Sequence, residues 1–213
     1  MPVADESMIS EEQALALYER AGAAHDFDHV RRVLALAERI GAAEGANMRI
    51  VRTAALLHDM ARAEAAASGE CHALLGATRA REVLAGFPVE DVDAVAHAIA
   101  AHRFRNDVHP ETLEARVVSD ADKLDAIGAI DVARAYAVAG RLDSRLWGPV
   151  QPGYQEWHAV SPQEHTPVHE YVYKLARLKD QMYTPTARLI AAGRHDFMVR
   201  FFEQLDREVS GEV

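Results

Sequence analysis

His29, the doublet His58-Asp59 and Asp122 are the residues of this sequence whose types and spacing could do chemistry. Two imidazoles and two carboxylates form a mixed nitrogen and oxygen ligand set. Such a set suits a divalent ion of intermediate hardness: Mn, Fe, Co, Ni or Zn. The doublet follows Ala54-Ala55-Leu56-Leu57, so it falls at the end of a buried helix. Burying Asp59 without a partner would cost roughly several kcal/mol, and a metal ion is the partner that also accounts for His58. Asp122 lies within Ser119-Asp120-Ala121-Asp122-Lys123-Leu124-Asp125. On a helix Asp122 and Asp125 share a face at i, i+3, whereas Asp120 and Asp122 do not. His25 and His29, at i and i+4, share a face if their helix starts early enough.

The elements that must position these groups read as helices. Ser10 caps a short pattern over 10–21 that has acidic residues in its first turn. Val30, Val33, Leu34, Ala37 and Ile40 recur at helical spacing within 28–44. Further helices are predicted over 48–60, 72–85 and 89–102, and one long helix over 110–139. Between 140 and 167 the pattern fails at Gly148, Pro149, Pro152, Gly153, Pro162 and Pro167. A loop that long in a compact domain tends to carry function, and Trp147 and Trp157 favour its packing. Helicity returns at 168–183 and at 194–209, where Phe197, Phe201 and Leu205 form a stripe beside Met198 and Phe202. The fold class is all-α, and helices of a bundle can bring ligands from separate segments to one point.

The chain has 213 residues, 49% of them apolar, enough for one domain with a real core. Its net charge of -10 argues against a broad nucleic-acid surface, which needs Lys and Arg against phosphates. The acidic start MPVADESMISEE is no secretory signal, no apolar run suits a membrane span, and Cys71 has no disulfide partner. These features favour the cytoplasm.

The segments HDFDH, LLHDMAR and SDADKLDAIGA, in that order, resemble the HD-domain metal-dependent phosphohydrolases. The resemblance runs from HDFDHVRRV to the tail HEYVYKLARLKDQMYTPTARLIAAGRHDFM, which is similar to small stand-alone bacterial HD hydrolases. It implies a single HD-domain helical bundle over 1–213, with a long loop at about 140–167 and C-terminal helices at about 168–209. It implies that His29, His58, Asp59 and Asp122 hold a divalent ion, Mg included among the choices. His25 would then stand behind the ligands, with Asp26 or Asp120 orienting a ligand imidazole.

Extra histidines in two-metal members of the superfamily come from the region that here holds His72, His97 and His102. His97 and His102 lie about 140° apart around a helix, so one expectation is that one reaches the site while the other packs. A single tightly held ion is favoured, with a dinuclear site left open. Only Lys123, Lys174 and Lys179 are lysines among the 23 basic residues, and each is a candidate for phosphate oxygens, as is His97. Arg62 stands where some relatives carry a catalytic Glu, and a guanidinium there suits phosphate clamping.

The expected chemistry is metal-assisted hydrolysis of a small phosphorylated compound, foremost a nucleotide, including cleavage of a nucleoside triphosphate to pyrophosphate. Asp122 would orient water, His102 or His97 would protonate the leaving group, and Arg62 and Lys123 would neutralise charge. Tyr154 and Trp157 could stack on a base. A ligand-sensing HD domain without turnover and an HD nuclease are the competing classes, and a homodimer is compatible with the sequence.

Overall fold

The computed structural model describes residues 7–20, 27–103, 106–150 and 164–213, and every regular element among them is helical. His25, Asp26, Tyr154, Trp157 and His158 lie outside the described residues. The chain divides into two compact units: Met1–Asp122 with Tyr183–Ala187, and Lys123–Met182 with Arg188–Val213.

The first unit carries α1 (Glu11–Arg20), α2 (Phe27–Glu44), α3 (Met48–Leu57), α4 (Arg62–Ser68), α5 (His72–Val83), α6 (Val89–Ala101) and most of α7 (Leu113–Asp125). Asn47 starts α3 by accepting from the Arg49 and Ile50 amides at 3.1 and 3.4 Å. Its own amide donates to Glu114 Oε1 at 2.9 Å, which ties the start of α3 to the start of α7. Helix α3 packs against α1, α2 and α6, and α5 packs on α4 and α6. Tyr18, Phe27, Val30, Leu57, Leu84 and Ile99 fill the core between them.

The helix expected over 48–60 stops at Leu57. The Met60 and Arg62 amides turn back onto the Leu57 and Asp59 carbonyls, and α4 starts at Arg62. The two polar residues therefore sit on a turn at the foot of a buried helix. The Asp120 carboxylate accepts from the Tyr183 and Thr184 amides and the Thr184 hydroxyl, each at 2.8 Å. It secures the Tyr183–Ala187 segment.

The second unit holds α8 (Ala129–Arg141), α9 (Pro167–Glu170), a π-helical turn (Tyr171–Leu175), α10 (Ala176–Leu178), a 3-10 turn (Lys179–Gln181) and most of α11 (Pro185–Val209). The single helix expected over 110–139 is broken between α7 and α8. Gly128 sits there at φ 90°, and a Cβ on it would meet Arg194 Cβ at 3.1 Å. Both the backbone conformation and the close approach demand glycine.

Helix α11 starts well before the expected residue 194. Pro185 stands in the first turn, and the Thr184 hydroxyl accepts from the Ala187 amide at 3.3 Å. Its buried side is Ala187, Ala191, Met198 and Phe202, while Phe197 of the expected stripe is 37% exposed. Phe202 stacks on Tyr171 with ring centroids 4.3 Å apart. In the described part of the long loop, the Trp147 indole donates to Asp206 Oδ1 at 3.2 Å.

Candidate metal centre

Four side chains converge from three stretches of chain. His29 comes from the first turn of α2, His58 and Asp59 from the turn after α3, and Asp122 from the last turn of α7. His29 Nε2 lies 3.2 Å from His58 Nε2, 3.3 Å from Asp122 Oδ1 and 3.7 Å from Asp59 Oδ2. His58 Nε2 lies 3.6 Å from Asp59 Oδ2 and 4.0 Å from Asp122 Oδ1. Ligand atoms ~2.1 Å from one ion stand ~3.0 Å apart at right angles and ~3.4 Å apart at tetrahedral angles. Most of these spacings lie close to that range.

A second group adjoins the first. His72 from the start of α5 and His102 just past α6 bring their Nε2 atoms to 3.3 Å of each other. They lie 3.5 and 3.7 Å from Asp59 Oδ1. Asp59 thus turns one carboxylate oxygen to each group. Each triad, His29 with His58 and Asp59, and Asp59 with His72 and His102, has the donors and spacing to hold a cation.

The backbone sets which nitrogens are available. His58 Nδ1 donates to the Ala55 carbonyl at 2.8 Å, and His102 Nδ1 donates to the Ile99 carbonyl at 2.6 Å. A carbonyl only accepts, so the neutral rings carry their lone pairs on Nε2, aimed into the cluster. Fixing the ring through a backbone carbonyl is a common way to orient a ligand imidazole.

Burial pushes the His58 imidazole below its ordinary pKa, and burial with nearby cationic groups lowers His72 to about 4. Both rings are therefore neutral at pH 7, the form that ligates metal. Burial alone would raise the carboxyls of Asp59 and Asp122. Around Asp59 the His58 and His102 imidazoles and the Arg62 guanidinium outweigh it and hold that carboxyl below the usual range. For Asp122 the hydrogen bond from His29 leads the opposing effects, and its pKa is also lowered.

An observation independent of the distances bears on the fit of a cation. Asp59 is 2% exposed, and its Oδ1 is a buried oxygen without a hydrogen-bond partner. A buried, ionised carboxylate oxygen without a hydrogen-bond partner, beside the His102 Nε2 lone pair, is strongly unfavourable unless a cation joins them. The residues fit a divalent ion.

Arg62 Nη2 lies 3.0 Å from Asp59 Oδ2, and the side chain is otherwise half exposed. His97 is not brought to the cluster, because its Nε2 accepts from the Glu111 amide at 3.1 Å. Lys123 is buried and follows Asp122 by about 100° around α7. Lys174 pairs with Glu170 at 2.5 Å and Lys179 with Asp180 at 2.8 Å. His102 belongs with the second triad, and its Nδ1 donates to the Ile99 carbonyl.

Sequence reasoning did not assign Tyr18. Its buried hydroxyl accepts from the Asp59 amide at 3.2 Å, and its ring meets Phe27 edge-on. The signal was the Ala14–Tyr18 spacing along α1, which marks a buried face but not a site.

Comparison with known proteins identifies the family. Residues 26–127 match the family model of the HD domain. The Bacillus subtilis protein YpgQ is 37% identical over 193 residues, spanning 88% of this chain and 85% of YpgQ. The chain belongs to the HD superfamily of hydrolases. An HD-superfamily hydrolase from Bacillus thuringiensis has the same fold at a TM-score of 0.73 and 29% identity, with 94% of this chain and 96% of that one covered. A crystal structure of YpgQ in complex with ADP superposes at a TM-score of 0.70, with 33% identity, covering 93% and 94% of the two chains. Ribonuclease Y of Chloroflexus aurantiacus is 42% identical over 89 residues, which are 42% of this HD hydrolase and 16% of that enzyme. No described helix of this HD hydrolase is long and apolar enough to cross a membrane.

Proposed function

We propose that this HD hydrolase cleaves a phosphoanhydride bond of a nucleotide, using two divalent ions that share Asp59. The observation that carries the reading is the division of Asp59: Oδ2 faces His29 and His58, and the unpartnered Oδ1 faces His72 and His102. His29, His58, Asp59 and Asp122 would hold one ion, and Asp59, His72 and His102 the other. Ions bound there would supply Lewis acidity toward a phosphoryl oxygen and lower the pKa of water.

The protein's own groups have distinct tasks in this reading. The Ala55 and Ile99 carbonyls keep the imidazole lone pairs aimed inward. Asp122, with 27% of its side chain exposed, is the carboxylate most open to a water beside the substrate. Arg62 holds the Asp59 carboxylate and presents the remainder of its guanidinium to phosphoryl charge. Neutral His72 needs no deprotonation near pH 7.

The ADP complex of YpgQ supports a nucleoside diphosphate or triphosphate as substrate class. Similarity to ribonuclease Y gives a second reading, a nuclease, over less than half of the chain. The net charge of -10 weighs against it. A complete ligand set weighs against a sensing domain that lacks turnover.

The test is phosphate and pyrophosphate release by Mn-loaded protein from a panel of nucleoside diphosphates, nucleoside triphosphates and a short oligoribonucleotide. Release from a nucleotide, abolished in His58→Ala, is the expected result. Metal-loaded protein that releases nothing from any nucleotide contradicts the reading, and cleavage of the oligoribonucleotide alone replaces it with the nuclease.

A further inference from the structure

Arg103 stands beside the second triad without an acidic partner. It follows His102, and its Nη1 rests on Cys71 Sγ at 3.6 Å, the residue before His72. His72 and His102 are themselves 3.3 Å apart at Nε2, so the Cys71–Arg103 contact lies alongside the histidine pair. Asn106 steadies this corner by donating to the Ala100 carbonyl at 2.7 Å, with Cys71 Sγ 3.9 Å from the same amide nitrogen.

Among the described residues no carboxylate lies within ion-pair distance of Arg103, whereas Arg62, the other guanidinium near His72, is engaged by Asp59 at 3.0 Å. Both guanidiniums lie near enough to the His72 imidazole to act on it electrostatically. A guanidinium offers five donors in a planar fork that matches phosphate. A thiol sulfur is a weak acceptor, so a phosphoryl oxygen readily replaces it.

We propose that Arg103 binds the phosphoryl group of the substrate that is not attacked, and that Cys71 is its resting place when that subsite is empty. The assignment rests on the phosphoanhydride reading and narrows it: the preferred substrate carries at least two linked phosphoryl groups. A single phosphoester would leave Arg103 on Cys71. Arg103 is a binding residue here and takes no part in holding metal.

Calorimetric titration of inorganic pyrophosphate and inorganic phosphate into Mn-loaded protein tests this, with metal content and melting temperature recorded for every variant. Arg103→Gln is expected to weaken pyrophosphate binding by about tenfold or more, the loss of one or two charge-assisted hydrogen bonds. Phosphate binding should stay within about twofold, and Arg103→Lys should recover part of the loss. With a nucleoside triphosphate, Arg103→Gln raises KM more than it lowers kcat. The assignment is overturned if Arg103→Gln binds pyrophosphate like wild type, or loses phosphate and pyrophosphate equally. If Arg103→Gln does not fold or load metal, the same comparison made with Arg103→Lys decides: unchanged pyrophosphate affinity and KM overturn the assignment. Wild type that hydrolyses nucleotides with kinetics unaltered by either variant removes Arg103 alone. Wild type that loads metal yet neither binds pyrophosphate nor releases it removes the hydrolase reading as well.

Discussion

Asp59 is the residue on which the proposed chemistry turns, and its burial was legible in sequence because the His58-Asp59 doublet follows four apolar or small residues and a buried carboxylate needs a strong partner. Its two oxygens facing two triads could not be read that way. That division depends on His72 and His102, which sit 13 and 43 positions further on and meet only through the packing of α5 on α6. The buried imidazoles also set a pH dependence. His58 and His72 have folded pKa values below the ordinary imidazole value of 6.5, His72 at about 4, so between those limits the unfolded chain binds more protons than the folded one. Stability then rises with pH through this window and is fully present above about 6.5. Metal-free protein should melt at a lower temperature at pH 5 than at pH 7.5, with a shallower dependence in His72→Gln. A melting temperature that climbs on acidification would contradict the account.

At the scale of elements, the site depends on how closely α5 approaches the foot of α3. Gly76 makes this approach: a Cβ there would lie 3.3 Å from Ile99 Cγ2 and 3.4 Å from the His58 carbonyl oxygen. A branched side chain has no room without moving α5, which begins with His72. Gly76→Val should therefore destabilise the fold by about 1–3 kcal/mol, a fall of roughly 2–4 °C per kcal/mol for a chain of this size. It should also weaken metal binding at the second triad more than at the first. An unchanged melting temperature would show that the contact yields freely.

Elements with an apolar period were legible in sequence, and their interruptions were not. Val30, Val33, Ala37 and Ile40 are buried along α2 as their spacing predicts. The break at Gly128 was missed because its cause, the Arg194 side chain, lies far along the sequence. Helix α11 starts at Pro185, before the expected residue 194, and Gly193 lies within it where a Cβ would meet nothing.

For the molecule as a whole, the family motifs extend across both the ligand-bearing segments and the tail, and the relative YpgQ is matched over 88% of this chain. In the proposed site one carboxylate, that of Asp59, serves two ions. The direct measurement is the number of Mn ions bound per chain at saturation in wild type, His72→Ala and Asp59→Ala, each shown to be folded. The expected result is about two ions in wild type, about one in His72→Ala and severe loss of both in Asp59→Ala. One ion in wild type, bound equally well by His72→Ala, would contradict it.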